Sequence, residues 1–372
     1  MKLRHSLILI GFLYIQLSIA QDPIFTQYFN APNFTNPAYT GADGGTKITL
    51  AYRNQWNRIP GLFHTKYLNL ETYSPCLQSG FGLHLLHDEE GEGLLNTVSL
   101  GLDYNYHGIR INSENLIRVG FSAFWYQKWI DWDALIFSDQ LHPKDGLLTT
   151  PSQAERLYNA QPGALGFKAG VLYTGELPTP GEDWPVELGI GISNLGSIRF
   201  DEYSLDGFYN TVPLDWRISI SAGVIMPFTR YEGPGYLITV IPRLRFDMQS
   251  KIKVTTLGLS WHYNQFSLGT FYQNVTPVSG SQNTDAFILY AGYQMRIKEV
   301  AYDIGFSYDT NSIPAYSKSN LGGLTGGVFE VNLKCHLPNT SLFCRATKKI
   351  PRGAGKGDCP PVSQRHFDRF SW

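Results

Sequence analysis

The chain has 372 residues, of which 16% are charged and 14% aromatic, and its formal net charge is −1. Near-neutrality removes the electrostatic basis for a nucleic-acid partner, and the charged share is below the roughly 25% usual in soluble domains. A mean hydropathy of −0.17 argues against a helical membrane protein and leaves spanning by strands open.

Lys2, Arg4 and His5 give a basic start, Leu7 to Leu17 is mainly apolar, and Ser18-Ile19-Ala20 places small residues where a signal peptidase reads them. The pattern predicts a signal peptide over residues 1–20, cleaved after Ala20. An uncleaved anchor would need about 20 apolar residues, more than this run supplies. Residues 21–45 are read as a periplasmic segment preceding the first strand. No later stretch is long and apolar enough for a spanning helix, so the mature chain is either soluble in an oxidising compartment or a closed barrel.

From residue 46 onward the sequence alternates with period 2. Ile48, Leu50, Tyr52 and Trp56 share one face; Lys47, Thr49, Ala51, Arg53 and Gln55 share the other. Val98, Leu100, Leu102, Tyr104 and Tyr106 alternate with Ser99, Gly101, Asp103, Asn105 and His107. About fourteen segments are predicted, near 46–57, 63–73, 79–88, 94–108, 115–129, 165–175, 185–194, 214–227, 236–249, 252–263, 265–275, 285–297, 300–310 and 326–337. A soluble sandwich also alternates, but many of these segments approach the ~9–11 residues of a tilted spanning strand. Aromatics near their ends suit interfacial girdles. The long connections, 130–164, 195–213 and 311–325, are all odd-numbered, and the even ones are mostly turns. That asymmetry predicts an all-β, transmembrane antiparallel barrel over 46–337 with both termini periplasmic. Two connections are untidy: the ninth, at 249–251, is short for an outer loop, and the sixth, at 175–184, is long for an inner turn.

Motifs for chemistry mostly fail. His84, His87, Asp88, Glu89 and Glu90 cluster at a strand end without recognisable metal spacing, so a solvated loop is the plainer reading. Asp131-x-Asp133 is followed by Leu135, which breaks a calcium loop. Gly353-Ala-Gly355-Lys356-Gly357 lacks the upstream Gly and the Ser/Thr of a phosphate loop. No enzyme activity and no cofactor is expected. Arg53, Arg118, Arg243 and Arg245 fall on the polar face and would line the lumen, where satisfying lumen charges is the plainer role and cargo binding the sharper one. The cysteines are Cys76, Cys335, Cys344 and Cys359. An oxidising compartment permits two disulfides in three pairings, or free thiols. Cys344–Cys359 is the simplest by proximity, which leaves Cys76–Cys335. The tail, 338–372, has seven Lys/Arg against two Asp/Glu. It reads as a basic periplasmic segment, either solvated or docked on a partner.

Gln21-Asp-Pro-Ile-Phe-Thr-Gln-Tyr-Phe-Asn30 and Asn36-Pro-Ala-Tyr-Thr-Gly41 open the mature chain. Tyr52-Arg-Asn-Gln-Trp56, Gly91-Glu-Gly-Leu-Leu-Asn96, Gln127-Lys-Trp-Ile-Asp-Trp132, Leu135-Ile-Phe-Ser-Asp-Gln140 and Gly326-Gly-Val-Phe-Glu-Val-Asn-Leu333 follow in order. Over about 21–335 this string resembles the PorP/SprF family of type IX secretion system proteins of the Bacteroidota outer membrane; the Cys-containing tail departs from it. The resemblance implies a barrel that supports secretion or surface attachment of cargo, gliding adhesins among them. Its implied partners are outer-membrane lipid, periplasmic components of the machine and the cargo itself. The competing readings are a general outer-membrane porin or transporter and a soluble secreted β-protein.

Overall fold

The computed structural model describes residues 22–340, apart from 59–60, 92–94, 113, 131–134, 143, 145, 148–162, 181–182, 200–214, 231–235, 278–283, 311–325 and 339. Fourteen strands form the wall. They are β1 (Thr46–Gln55), β2 (Leu62–Ser74), β3 (Ser79–Gly91), β4 (Leu95–Arg110), β5 (Leu116–Ile130), β6 (Ala164–Leu177) and β7 (Trp184–Ser193). After them come β8 (Arg217–Val224, continued as Met226–Arg230), β9 (Tyr236–Gln249), β10 (Ile252–Tyr263), β11 (Phe266–Pro277), β12 (Thr284–Ile297), β13 (Val300–Asp309) and β14 (Val328–Leu337). Each pairs antiparallel with its sequence neighbours, and β14 closes on β1 with Thr46 opposite Leu337 and Gln55 opposite Val328. Closure leaves no unpaired edge, which a strand protein in lipid requires.

Alternation sorts side chains by face. Outward residues are large and apolar, with Leu102 66%, Leu257 56% and Leu268 61% exposed. Tyr106, Tyr263, Phe266 and Tyr293 ring one end of this face, and Tyr52, Trp216 and Phe287 stand near the other. A lipid-facing belt with interfacial aromatics has this form. Inward residues are polar and buried, among them Lys47, Glu71, Asp103, Arg118, Lys168, Asp247 and Glu330.

The connections differ by end. The strand ends Ile130, Ala164, Ser193, Arg217, Asp309 and Val328, which flank the long connections, lie at one mouth, the loop end; 75–78, 264–265, 298–299 and the strand ends Arg110 and Leu116 lie at the other, the turn end. Asn264 and Lys298 take positive φ in the two tight turns, as short hairpins demand. The ninth connection is the pair Ser250-Lys251, so β9 and β10 join by a tight hairpin at the loop end. The sixth shortens to 178–183 because β6 and β7 extend toward each other.

The cysteines correct an expectation. Cys335 is a free thiol and Cys76 is disulfide-bonded, so the two are not paired with each other. Strand parity gives the reason. Cys335 lies opposite Ile48 and Tyr302 on the outward face of β14, whereas Cys76 sits in the β2–β3 turn. Cys344 and Cys359 lie outside the described residues. In protein unfolded without reductant, maleimide should label Cys335 and leave Cys76 unmodified until reduction. Peptide mapping that finds the reverse would refute the assignment.

Candidate functional site: a lumen filled by the amino-terminal segment

Residues 21–45 were expected in the periplasm; the structure puts 22–45 inside the wall. Phe25, Tyr28, Ala31, Phe34, Ala38 and Tyr39 are all buried there. The segment has two short 3-10 turns, Pro32–Phe34 and Pro37–Tyr39. In the second, the Asn36 side chain accepts from the Ala38 N–H at 2.9 Å, and Pro37 takes the first turn position. A side-chain acceptor before Pro is a favoured way to start such a turn.

The wall holds this segment largely by its main chain. The Glu330 carboxylate accepts the Thr26 and Gln27 N–H groups at 2.7 and 2.9 Å. Arg53 donates to the Ile24 carbonyl and, at 3.1 Å, to Thr26 Oγ1, and its guanidinium lies 3.9 Å from Glu330. Arg217 donates to Pro23 O at 3.0 Å, and Lys168 donates to Phe34 O at 3.0 Å. Asn105 donates to the carbonyls of Ala38 and Thr40, at 2.5 and 2.9 Å. Glu71 accepts Gly41 N–H at 3.3 Å and the Asn33 amide at 3.1 Å, and it pairs with Lys47 at 2.6 Å. These partners come from β1, β2, β4, β6, β8 and β14, so the segment is gripped from around the ring.

Charge and aromatic contacts complete the packing. Arg245 bonds Asp247 at 2.5 and 3.0 Å, reaches Thr35 Oγ1 at 3.3 Å, and stacks over Tyr28 at 5.0 Å. Arg243 lies over Phe29 at 4.7 Å and 4.0 Å from Glu187. Phe25, Phe34 and Tyr67 form a ring cluster with centroids 5.0–5.8 Å apart. Space for the backbone comes from inward glycines: a Cβ at Gly120 would lie 2.3 Å from Ala38 N, and one at Gly80 2.0 Å from Thr40 O. Arg118 is buried, and its Nη1 donates to Thr174 Oγ1 at 3.1 Å.

The polar cluster of β3 divides by parity. His84 points inward and bonds Asp103 at 2.8 Å, while His87 points outward beside Asn96 and Trp129. Among the described residues no group of three or more His, Cys, Asp or Glu could hold a metal ion. Asp131 and Asp133 lie outside the described residues.

The path of the segment runs from one mouth of the barrel to the other. Asp22 accepts from Asn194 at 2.7 Å and from Gln249 at 3.0 Å, both at the loop end. Gly44 O meets His336 at 2.9 Å at the turn end, beside Leu337. The described chain thus starts at the loop mouth, descends through the lumen and turns at Gly44-Gly45 into β1. Both glycines have positive φ, and a Cβ at Gly45 would lie 2.3 Å from Leu337 O.

Two outcomes follow. Glu330→Ala strips a buried carboxylate from two N–H groups and should cost about 3–5 kcal/mol. It should be read as a lower midpoint for heat-induced unfolding on unboiled gels; an unchanged midpoint contradicts the role given to Glu330. An epitope placed just before Asp22 should be accessible from the same side as one in 131–163; accessibility from opposite sides contradicts the threaded path.

Several solved barrels resemble the chain at low similarity. CdiB from Acinetobacter baumannii is 9% identical with a TM-score of 0.40, covering 78% of this chain and 59% of its own. The monoaromatic hydrocarbon channel CymD is 12% identical with a TM-score of 0.43, covering 84% and 92%. A mutant of the hydrocarbon channel TodX is 12% identical with a TM-score of 0.47, covering 82% and 93%. This chain spans 59% of the length of CdiB. No curated protein matches. The sequence profile of the type IX secretion system membrane protein PorP/SprF matches residues 17–334, nearly the whole of the filled barrel and the segment within it. The chain therefore belongs to the PorP/SprF family of type IX secretion system membrane proteins.

Proposed function

We propose that the protein is a closed outer-membrane barrel of the type IX secretion system, serving secretion or surface attachment of cargo as a scaffold rather than as the conduit. The observation that carries this reading is the filled lumen. A chain of 24 residues, 22–45, passes down the barrel and is bonded to its wall. Among the described residues, cavities of about 110 and 60 Å3 remain beside it within the wall, and a recess of about 310 Å3 opens at the turn-end mouth. These are separate pockets that admit water, not a passage for a translocating polypeptide. A general porin needs a continuous aqueous path, so the same observation weighs against the porin reading.

Short connections face the periplasm in such barrels and long ones face outward. In that orientation the turn-end mouth and the basic tail face the periplasmic parts of the machine. Cargo, with gliding adhesins as one class, is met at the loop-end mouth. The role is non-catalytic, and export by a signal peptide cleaved after Ala20 is part of the same reading. Two measurements test it together. Wild-type barrels in planar bilayers should show no steady conductance, and deletion of the gene should deplete specific proteins from the cell surface or the medium. Porin-like steady conductance overturns the scaffold, and an unchanged surface and medium proteome overturns the secretion role.

A further inference from the structure

The amino-terminal segment fills the lumen unevenly. Between Tyr28–Asp43 and the wall a cavity remains, lined among others by Arg118, Thr174, Glu187, Ser221 and Arg243. Asp43, Lys47, Gln294, Asp303 and Lys334 border both this cavity and a recess at the turn-end mouth, so the two adjoin.

Arg118 is the anomaly in this cavity. It is 2% exposed, yet among the described residues its one hydrogen bond runs from Nη1 to Thr174 Oγ1, and its Nε has no partner. Among the described residues no carboxylate forms an ion pair with it within 4.0 Å. The cavity's nearby carboxylates are engaged elsewhere: Asp43 is held by Lys47, and Glu187 faces Arg243 at 4.0 Å. Every other buried lumen cation described above has a carboxylate, a main-chain carbonyl or an aromatic face. A guanidinium taken out of water without an anion is strongly disfavoured. Its fork of N–H donors matches an oxyanion, which it can bind with two parallel hydrogen bonds. Hydroxyl donors share the cavity: Thr174 beside Arg118, and Ser221, whose Oγ lies 3.0 Å from the Tyr39 hydroxyl. Gly189 keeps this hydroxyl pair accessible, since a Cβ there would lie 2.6 Å from Ser221 Oγ and 3.0 Å from Tyr39 Oη.

We propose that this cavity is a binding site for one small free oxyanion of the phosphate class, received by Arg118 and entering from the turn-end mouth. The anion compensates the buried guanidinium and fixes the amino-terminal segment against β5–β8. The site does not depend on the secretion role.

The test uses the purified full chain in detergent, with unfolding followed by tryptophan fluorescence. Inorganic phosphate should raise Tm by about 2 °C at roughly ten times its dissociation constant, relative to chloride at equal ionic strength. Arg118→Met should abolish that rise, and Lys66→Met, on the exposed outer face, should keep it. An equal rise in chloride, or a rise that survives in Arg118→Met, overturns the proposal. If Arg118→Met does not fold, equilibrium dialysis of the wild-type protein against radiolabelled phosphate decides. One phosphate per barrel, displaced by unlabelled phosphate and not by chloride, supports the site; no retained phosphate overturns it.

Discussion

The structure depends on what a closed barrel does to its inward-facing side chains. Lipid occupies the outer face, so lysines, arginines, aspartates and glutamates are confined to the inner one. In a wide lumen water would solvate them. Here they are buried, and each needs a partner with fixed geometry. The wall supplies some of these, as in Arg245–Asp247 and His84–Asp103. Others come from the amino-terminal segment, whose carbonyls meet Arg53, Lys168, Asn105 and Arg217 and whose N–H groups meet Glu330 and Glu71.

The same bonds solve the segment's own problem. A chain of turns and 3-10 elements has many unpaired backbone groups and could not be buried unless the wall satisfied them. The wall's polar residues and inward glycines and the segment's Pro, Asn and Gly residues therefore fit one another. Asn36-Pro-Ala-Tyr-Thr-Gly41 is the clearest case. Asn36 starts a turn and donates to Val171 O, Tyr39 meets Ser221, the Thr40 carbonyl takes Asn105, and Gly41 passes close over Gly80. The functional reading follows: a lumen occupied in this way belongs to a scaffold better than to a passage.

The wall was legible because its signal is local. Alternation over eight to sixteen residues identifies a strand without knowledge of its neighbours, and the long odd-numbered connections sort the two mouths. The interior was not legible because its contacts are remote. Thr26 and Glu330 are 304 positions apart, and nothing near either residue announces the other. The segment has no periodicity, so it reads as a free extension. A hint was present in the polar face of the strands: Gly80 and Gly120 leave room on the inner wall for a backbone to approach. The cysteine pairing failed for a related reason. Proximity in sequence says nothing about parity, and parity turns Cys335 toward lipid.

The grip on residues 24–27 has a mechanical consequence. Arg53 belongs to the first strand and Glu330 to the last, and both hold the same stretch of chain. The junction between first and last strands is the one place where a meander barrel is not covalently continuous. An inner clasp spanning it resists unzipping at that point. A barrel fastened in this way is poorly suited to releasing a client sideways into the bilayer.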